Sequence, residues 1–283
     1  MIGARGTTRT ERVARYRNGT RSRDRDVLVV EEPMEMRVAW AESEYGQRLV
    51  EPLAVTMRTP GADFELTAGF LHGEGVVRTP DDLLELTYCK GGEGEQEYNT
   101  VEARLRVGVP FDSERMRRNV YATSSCGVCG KASLDAVYAT GCELLPEGPE
   151  VAASLLPTLP QLLRDRQADF ERTGGLHAAG LFSLSGECLG VYEDVGRHNA
   201  VDKVLGEAFL ARKLPHRHAI LVVSGRASFE LVQKAVMAGV PAMVAVGAPS
   251  TLAVDLARRF GQTLVGFARG GGFNVYAGEE RIV

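Results

Sequence analysis

The feature that most constrains how this chain can fold is a regular alternation near its C-terminus. Three short apolar runs, Ala219–Val223, 242–246 and 263–267, are separated by helix-like segments at 229–238 and 252–260. Runs of this length and composition are buried strands, and strands that alternate with helices at this spacing build an α/β sheet with helices on its faces. Residues 235–254 carry no charge over nearly the length of a membrane span, but Pro241, Pro249, Gly239 and Gly247 interrupt them. The stretch therefore reads as a buried strand between two helices rather than a span, and no membrane partner is expected. In sheets of this kind ligands collect in the loops at the strand ends.

The alternating pattern extends upstream. Helices are expected at 131–139 and 156–172, the second stopped by Gly174 and Gly175, then a hairpin of 178–184 with 188–192 and a helix over 199–213. Before residue 111 the elements are shorter: strands at 27–30, 36–40, 49–57, 86–88 and 100–107, a helix from Asp63, and a glycine-rich hairpin loop at 91–95. The expected division is thus a smaller N-terminal αβ subdomain, 27–110, and a larger α/β subdomain, 111–283. Residues 1–26 hold eight arginines with almost no apolar clustering, which predicts a disordered basic arm. No apolar stretch follows it, so a secretory signal is not expected. The net charge of −4 argues against general nucleic-acid binding. Five cysteines, an odd number in 283 residues, do not make an extracellular disulfide framework, and the expected compartment is the reducing cytoplasm.

Chemistry is concentrated in Ser124-Ser125-Cys126-Gly127-Val128-Cys129-Gly130-Lys131. The thiolate is the reactive form of cysteine, and a following helix N-terminus with Lys131, Arg117 and Arg118 nearby in sequence favours it. A C-x-x-C pair serves as half a zinc site, a redox pair or a persulfide carrier. A structural zinc knuckle needs two more ligands, yet Cys89, Cys142 and Cys188 are scattered singly. His72-Gly73-Glu74 followed by Cys126 and Cys129 imitates the zinc deaminase signature, in which a His and two Cys hold the metal and the Glu moves protons. Ser125 stands where that signature has proline. Deamination is therefore the alternative reading; the competing one is that His72 simply ends the helix begun at Asp63.

Three further loops offer anion chemistry. Glu193-Asp194-Val195-Gly196-Arg197-His198-Asn199 and Ser224-Gly225-Arg226-Ala227-Ser228 each join a strand to a helix, with small residues, a helix N-terminus and an arginine suited to phosphate. Capping by Asn199 or Ser228 is the plainer explanation of these loops. Arg269-Gly270-Gly271-Gly272 follows the final apolar run and exposes backbone amides to a nucleotide or phosphate, or else makes a hairpin turn.

The motifs taken together resemble the formate dehydrogenase accessory sulfurtransferase family. The resemblance is carried by Glu31-Glu32-Pro33, the run from Pro52 to Gly61, Asn99-Thr100-Val101, the Ser125-to-Gly130 thiol loop, the run from Gly174 to Ala179, the run from Asp194 to Lys203, the run from Ser224 to Glu230, and Asn274-Val275-Tyr276. It implies a homodimer whose larger subdomain has a cytidine-deaminase-like, three-layer α/β fold without a catalytic metal of its own. It also implies an activity: sulfur is taken as a persulfide from a cysteine desulfurase and given to the molybdenum bis(molybdopterin guanine dinucleotide) cofactor, the bound substrate, so that formate dehydrogenase becomes active. By the same resemblance Cys126 carries the persulfide and Cys129 supports transfer. Phe267, Ala268, Arg269, Gly270, Gly271 and Gly272 form the cofactor-binding segment, joined by Arg197, His198 and Arg226, and a guanine nucleotide is a partial mimic of the cofactor.

Overall fold

A computed structural model describes residues 6–89, 98–113, 116 and 141–283. The chain is of the expected α/β class, and the strands of the described residues form three sheets. The largest has six strands in the order β12-β11-β10-β9-β7-β8. They are β7 (His177–Ser183), β8 (Cys188–Asp194), β9 (Ala219–Val223), β10 (Ala242–Ala245), β11 (Thr263–Arg269) and β12 (Gly272–Ala277). β9, β10 and β11 are parallel, whereas β7 runs antiparallel to β9 and β12 antiparallel to β11.

Alternation along β9 explains why this sheet is covered on both sides. Ala219, Leu221 and Val223 belong to one core with residues of α4 (Arg197–Leu210), α5 (Phe229–Met237) and α6 (Thr251–Phe260). Ile220 and Val222 belong to a second core with Leu159 and Leu163 of α2 (Leu159–Arg164). Helices on both faces of a central sheet make the three layers. The single helix expected over 156–172 is instead two, α2 and α3 (Ala168–Thr173). The cause lies in another strand: Glu193 of β8 accepts the backbone N–H groups of Asp169 at 3.0 Å and Phe170 at 2.8 Å, and so takes over the start of the second helix. Gly174 ends it in the left-handed conformation, φ 67°.

The second sheet has the order β4-β3-β6-β5, formed by β3 (Glu32–Trp40), β4 (Leu49–Arg58), β5 (Leu83–Tyr88) and β6 (Thr100–Leu105). Helix α1 (Asp63–Gly73) covers it and contributes Leu66, Ala68 and Leu71 to its cores. At the α1 N-terminus the buried Arg58 guanidinium makes paired bonds to the Asp63 carboxylate at 3.0 and 3.1 Å, and Tyr88 donates its hydroxyl to the same carboxylate at 3.1 Å. The other face of α1 packs on α4, where both helices carry glycine. A methyl at Gly69 would lie 1.9 Å from the carbonyl oxygen of Asp202, and one at Gly206 would lie 1.8 Å from that of Glu65.

Residues 8–26, assigned above to a disordered arm, are ordered: β1 (Thr8–Arg17) and β2 (Thr20–Val29) pair antiparallel in continuous register, and the expected boundary at 26/27 falls inside β2. Order here comes from backbone pairing rather than burial. Asn18 and Gly19, at φ 49° and 78°, form the two-residue turn whose twist matches the strands. Arg15 pairs across the ribbon with Asp24 at 2.5 Å. The glycine-rich 91–95 loop and the 131–139 helix lie outside the described residues. Among the described residues no helix is long and apolar enough to cross a membrane.

The helix contact gives the first prediction. Gly206→Ala should destabilise the protein by about 3 kcal/mol or more, at the upper end of overpacking costs, because the obstacle is backbone and cannot rotate away. Denaturant unfolding of wild type and variant checks this; a difference under about 1 kcal/mol would show that the helices separate freely.

Candidate functional site

The carboxyl ends of the three parallel strands open into three loops, 224–228, 246–250 and the turn after Arg269. These loops are tied to one another: Gly247 N–H bonds to Gly225 O at 2.9 Å, Ser250 N–H to Ala227 O at 3.0 Å and Phe267 N–H to Gly247 O at 3.1 Å. Because β7 is antiparallel to β9, its first residues lie at this same end, where Ala178 N–H bonds to Ser224 Oγ at 2.9 Å. A cleft of about 810 Å³ results, walled by Arg164, Phe170, Gly175, His177, Ser224 and Arg269 among others. The Arg164 guanidinium lies over the Phe170 ring at 4.0 Å, and that of Arg269 over Phe267 at 5.8 Å. Charge held over aromatic faces suits recognition of a planar, anionic group.

Of the expected cofactor-binding residues, Arg269, Gly270 and Gly271 line this cleft. They do not follow the last strand, as the sequence pattern led us to expect, because β12 succeeds them. Gly270 and Gly271 have φ 60° and 82° and form the two-residue turn between the paired Arg269 and Gly272. Turn geometry alone therefore accounts for the choice of glycine at both positions. Open space surrounds them as well, since a Cβ at Gly270, Gly271 or Gly272 meets nothing within 4 Å. The Ala268 side chain is buried in the second core, and Phe267 is half-buried with φ 53°.

Arg197 and His198 open α4 on the neighbouring loop, and Arg226 is exposed on the loop after β9. Neither Asn199 nor Ser228 caps its helix through its side chain. Ser228 instead meets His198 Nε2 at 3.3 Å, and the Glu230 carboxylate lies 3.6 Å from the same nitrogen. The bond from His198 outweighs burial and brings the Glu230 carboxyl down to about 2. Burial, helped by the nearby Arg197 and His198, lowers the His177 pKa. Arg197 Nε is buried without a protein acceptor. Positive charge and unspent donors thus gather beside the cleft, an arrangement that accepts a phosphate.

Beneath these loops a buried polar network fixes their position. Lys203 Nζ lies 2.7 Å from the Asp194 carboxylate and donates to Thr59 O at 2.8 Å. Asp194 also accepts the N–H groups of Thr59 at 3.2 Å and Gly196 at 2.8 Å, and the Asn199 amide at 2.9 Å. Asn199 in turn donates to Met57 O at 2.8 Å. Sequence reasoning gave no role to Arg164, His177, Asp194, Lys203 or Glu230. Four of them lie in runs singled out above, but Arg164 had no signal beyond being an arginine in a helix.

The zinc alternative fares poorly on the side of its histidine. His72 is buried, with Nδ1 3.2 Å from Val77 O and Nε2 3.2 Å from Met237 O, so both nitrogens face carbonyls. It also ends α1, as the plainer reading had it. Burial pushes the Glu74 carboxyl up, partly offset by Lys234, whose ammonium is bonded to Asp202 at 2.6 Å. Glu74 thus lies in the field of a buried ion pair. Cys126 and Cys129 lie outside the described residues.

A pH dependence follows for Glu230. Its pKa falls from 4.5 to about 2 on folding, so the stability it contributes is full above pH 4.5 and is lost as pH drops towards 2. Since the side chain is 39% exposed, the amount is under about 1 kcal/mol. Thermal unfolding of wild type and Glu230→Gln should differ at pH 6 and converge near pH 2; a constant gap would detach Glu230 from this linkage.

Comparisons with known proteins agree with this architecture. The chain is 52% identical over 279 residues, 97% of its length and 95% of the relative's, to the sulfur carrier protein FdhD of Streptomyces avermitilis. It is 48% identical to that of Nocardia farcinica across 97% of this chain and 95% of the relative, and 50% identical to that of Mycobacterium tuberculosis across 91% and 92%. A crystal structure of a Desulfotalea psychrophila protein assigned as a formate dehydrogenase accessory protein superposes with a TM-score of 0.75 at 23% identity, covering 98% of this chain and all of that one, and shares the fold. The model of the FdhD/NarQ family matches residues 29–283. With nine-tenths of its length matched in register, the chain belongs to the FdhD/NarQ family.

Proposed function

We propose that this protein is a sulfur carrier in the maturation of formate dehydrogenase, and that Cys126 holds the sulfur as a persulfide. The observation that carries the reading is half-identity over nearly the whole chain to relatives named sulfur carrier proteins, combined with the Cys126-x-x-Cys129 pair. The Cys126 thiolate attacks the sulfane sulfur of a cysteine desulfurase persulfide, and the desulfurase leaves as its own thiolate. In delivery, the Cys129 thiolate attacks the inner sulfur of the Cys126 persulfide. The terminal sulfur departs as hydrosulfide to molybdenum, and the resulting Cys126–Cys129 disulfide is reduced by a cellular thiol.

The acceptor is molybdenum in the bis(molybdopterin guanine dinucleotide) substrate. What supports this is the cleft at the strand ends, where Arg164 and Arg269 stand over aromatic rings for a base or pyrophosphate and backbone approach is open at the Gly270–Gly271 turn. The reading includes a homodimer working in the cytoplasm with cysteine desulfurase and formate dehydrogenase as its partners.

Intact-mass analysis tests the first half. Wild-type protein incubated with desulfurase and cysteine should gain sulfur in steps of about 32 Da that reductant removes, because a persulfide is a reducible linkage. Cys126→Ala should gain none and keep its fold; labelled sulfur at the wild-type level would dismiss Cys126 as the carrier.

Titration with guanosine diphosphate, a fragment of the cofactor, tests the second half. Arg269→Ala and Arg164→Ala should each weaken binding by about tenfold or more, roughly 1.4 kcal/mol, while Cys126 still loads. Equal affinity in both arginine variants would move the nucleotide to the Arg197 and Arg226 loops.

A further inference from the structure

The N-terminal hairpin presents a physical difficulty that the rest of the chain does not resolve. None of the residues of β1 and β2 is buried, and Tyr16 and Leu28 are exposed at 66% and 43%. A two-stranded ribbon in water is at best marginally stable, since it gains little burial against the entropy of ordering its backbone. Its charge makes matters worse. Residues 8–29 hold seven arginines and three carboxylates, a net charge of +4 in a chain of net charge −4. Arg12 stands directly opposite Arg25 in the pairing register, and like charges facing across strands are destabilising.

Within the ribbon the carboxylates are already committed. Asp24 and Asp26 lie against Arg15, and Glu11 against Arg9. A concavity of about 580 Å³ on the ribbon gathers Arg12, Arg21, Arg23 and Arg25, and no carboxylate of the described residues lies within ion-pair distance of these four. The base of the ribbon is not remote from the site. A Cβ at Gly175, which walls the cleft, would lie 3.3 Å from the Val29 side chain, and β2 packs against α3. Ten residues at about 3.4 Å each carry the Asn18–Gly19 tip roughly 34 Å from that rim.

We propose that the hairpin is a docking arm for an acidic protein surface, which supplies the carboxylates that Arg12, Arg21, Arg23 and Arg25 lack and so holds a partner over the mouth of the cleft. This rests on the function proposed above, in which sulfur must pass between the chain and two other proteins. A protein fits better than a nucleic acid: the chain as a whole carries a net charge of −4, and the exposed Tyr16, directly opposite Arg21 in the register, sets an apolar surface among these arginines.

The test uses the full-length chain, with purified cysteine desulfurase and purified apo-formate dehydrogenase of the same organism as probes, by titration calorimetry. At least one should bind wild type, with affinity falling as salt rises. Arg12→Glu combined with Arg23→Glu should weaken that binding at least tenfold. Loss of the hairpin's own stability cannot explain such a result, because a carboxylate at position 12 faces Arg25 and removes the like-charge pair. Loading of Cys126 from inorganic polysulfide, read by mass, should be unchanged in the double variant. Unchanged affinity for both proteins overturns the arm, as does hairpin-dependent binding of a single-stranded oligonucleotide in place of either. Wild-type binding to neither protein overturns it too; polysulfide loading that persists then marks the arm, and not the carrier reading, as the part that failed.

Discussion

Helices α1 and α4 approach so closely that the carbonyl of Asp202 occupies the space of a side chain at position 69, and the carbonyl of Glu65 that of one at 206. Glycine in a helix interior costs roughly 1 kcal/mol against alanine, so two of them facing one another are kept for the contact they allow. That contact sets the distance between the smaller sheet and the six-stranded one. It also lets the buried charges reach their partners. Lys203, one turn into the crossing from Gly206, bonds both to Asp194 at the end of β8 and to the backbone of Thr59 after β4. Removing either charge would strand the other away from water, which typically costs about 3–5 kcal/mol.

The cleft depends on this arrangement because its walls are loops. Thr59 donates to Asp194 and Asn199 to Met57, each across more than a hundred residues of sequence, Asn199 also donates to Asp194, and the Arg197–His198 segment is suspended from that knot. On the other side, the ties from Gly247 to Gly225 and from Phe267 to Gly247 hold three successive strand ends as one surface. Positioning of this kind lets exposed cations such as Arg269 work from a fixed backbone even though their side chains are free to move.

How much of this was legible in the sequence varied with the physics behind each element. The strands β9, β10 and β11 were read within a few residues, because burial on both faces leaves a continuous apolar signature that needs no context. The hairpin at 8–29 was misread as disorder, since it has no apolar face to announce it; the Asn18-Gly19 pair between two runs of equal length was the signal available. The break between α2 and α3 was invisible for a different reason, its cause being a carboxylate more than twenty residues away. Composition places Arg58, Lys203 and Lys234 on the surface, whereas all three are buried against carboxylates that only the fold brings to them. The arginines of the strand-end loops were found from loop chemistry, but Arg164 could not be, because nothing local distinguishes it from a solvated helix residue.

The double-sided burial of the six-stranded sheet has a consequence for how the site can vary. A slip of one residue along β9 would exchange Leu221 with Ile220 between two cores of different shape, so the register of the central strands is pinned from both sides. Loops that spring from pinned strands can lengthen, shorten or change composition while the platform beneath them stays in place. Changes in the cleft loops thus cost the fold little, while changes at small buried residues away from the cleft, Gly69, Gly206 and Ala179 among them, fall on the packing that holds the platform together.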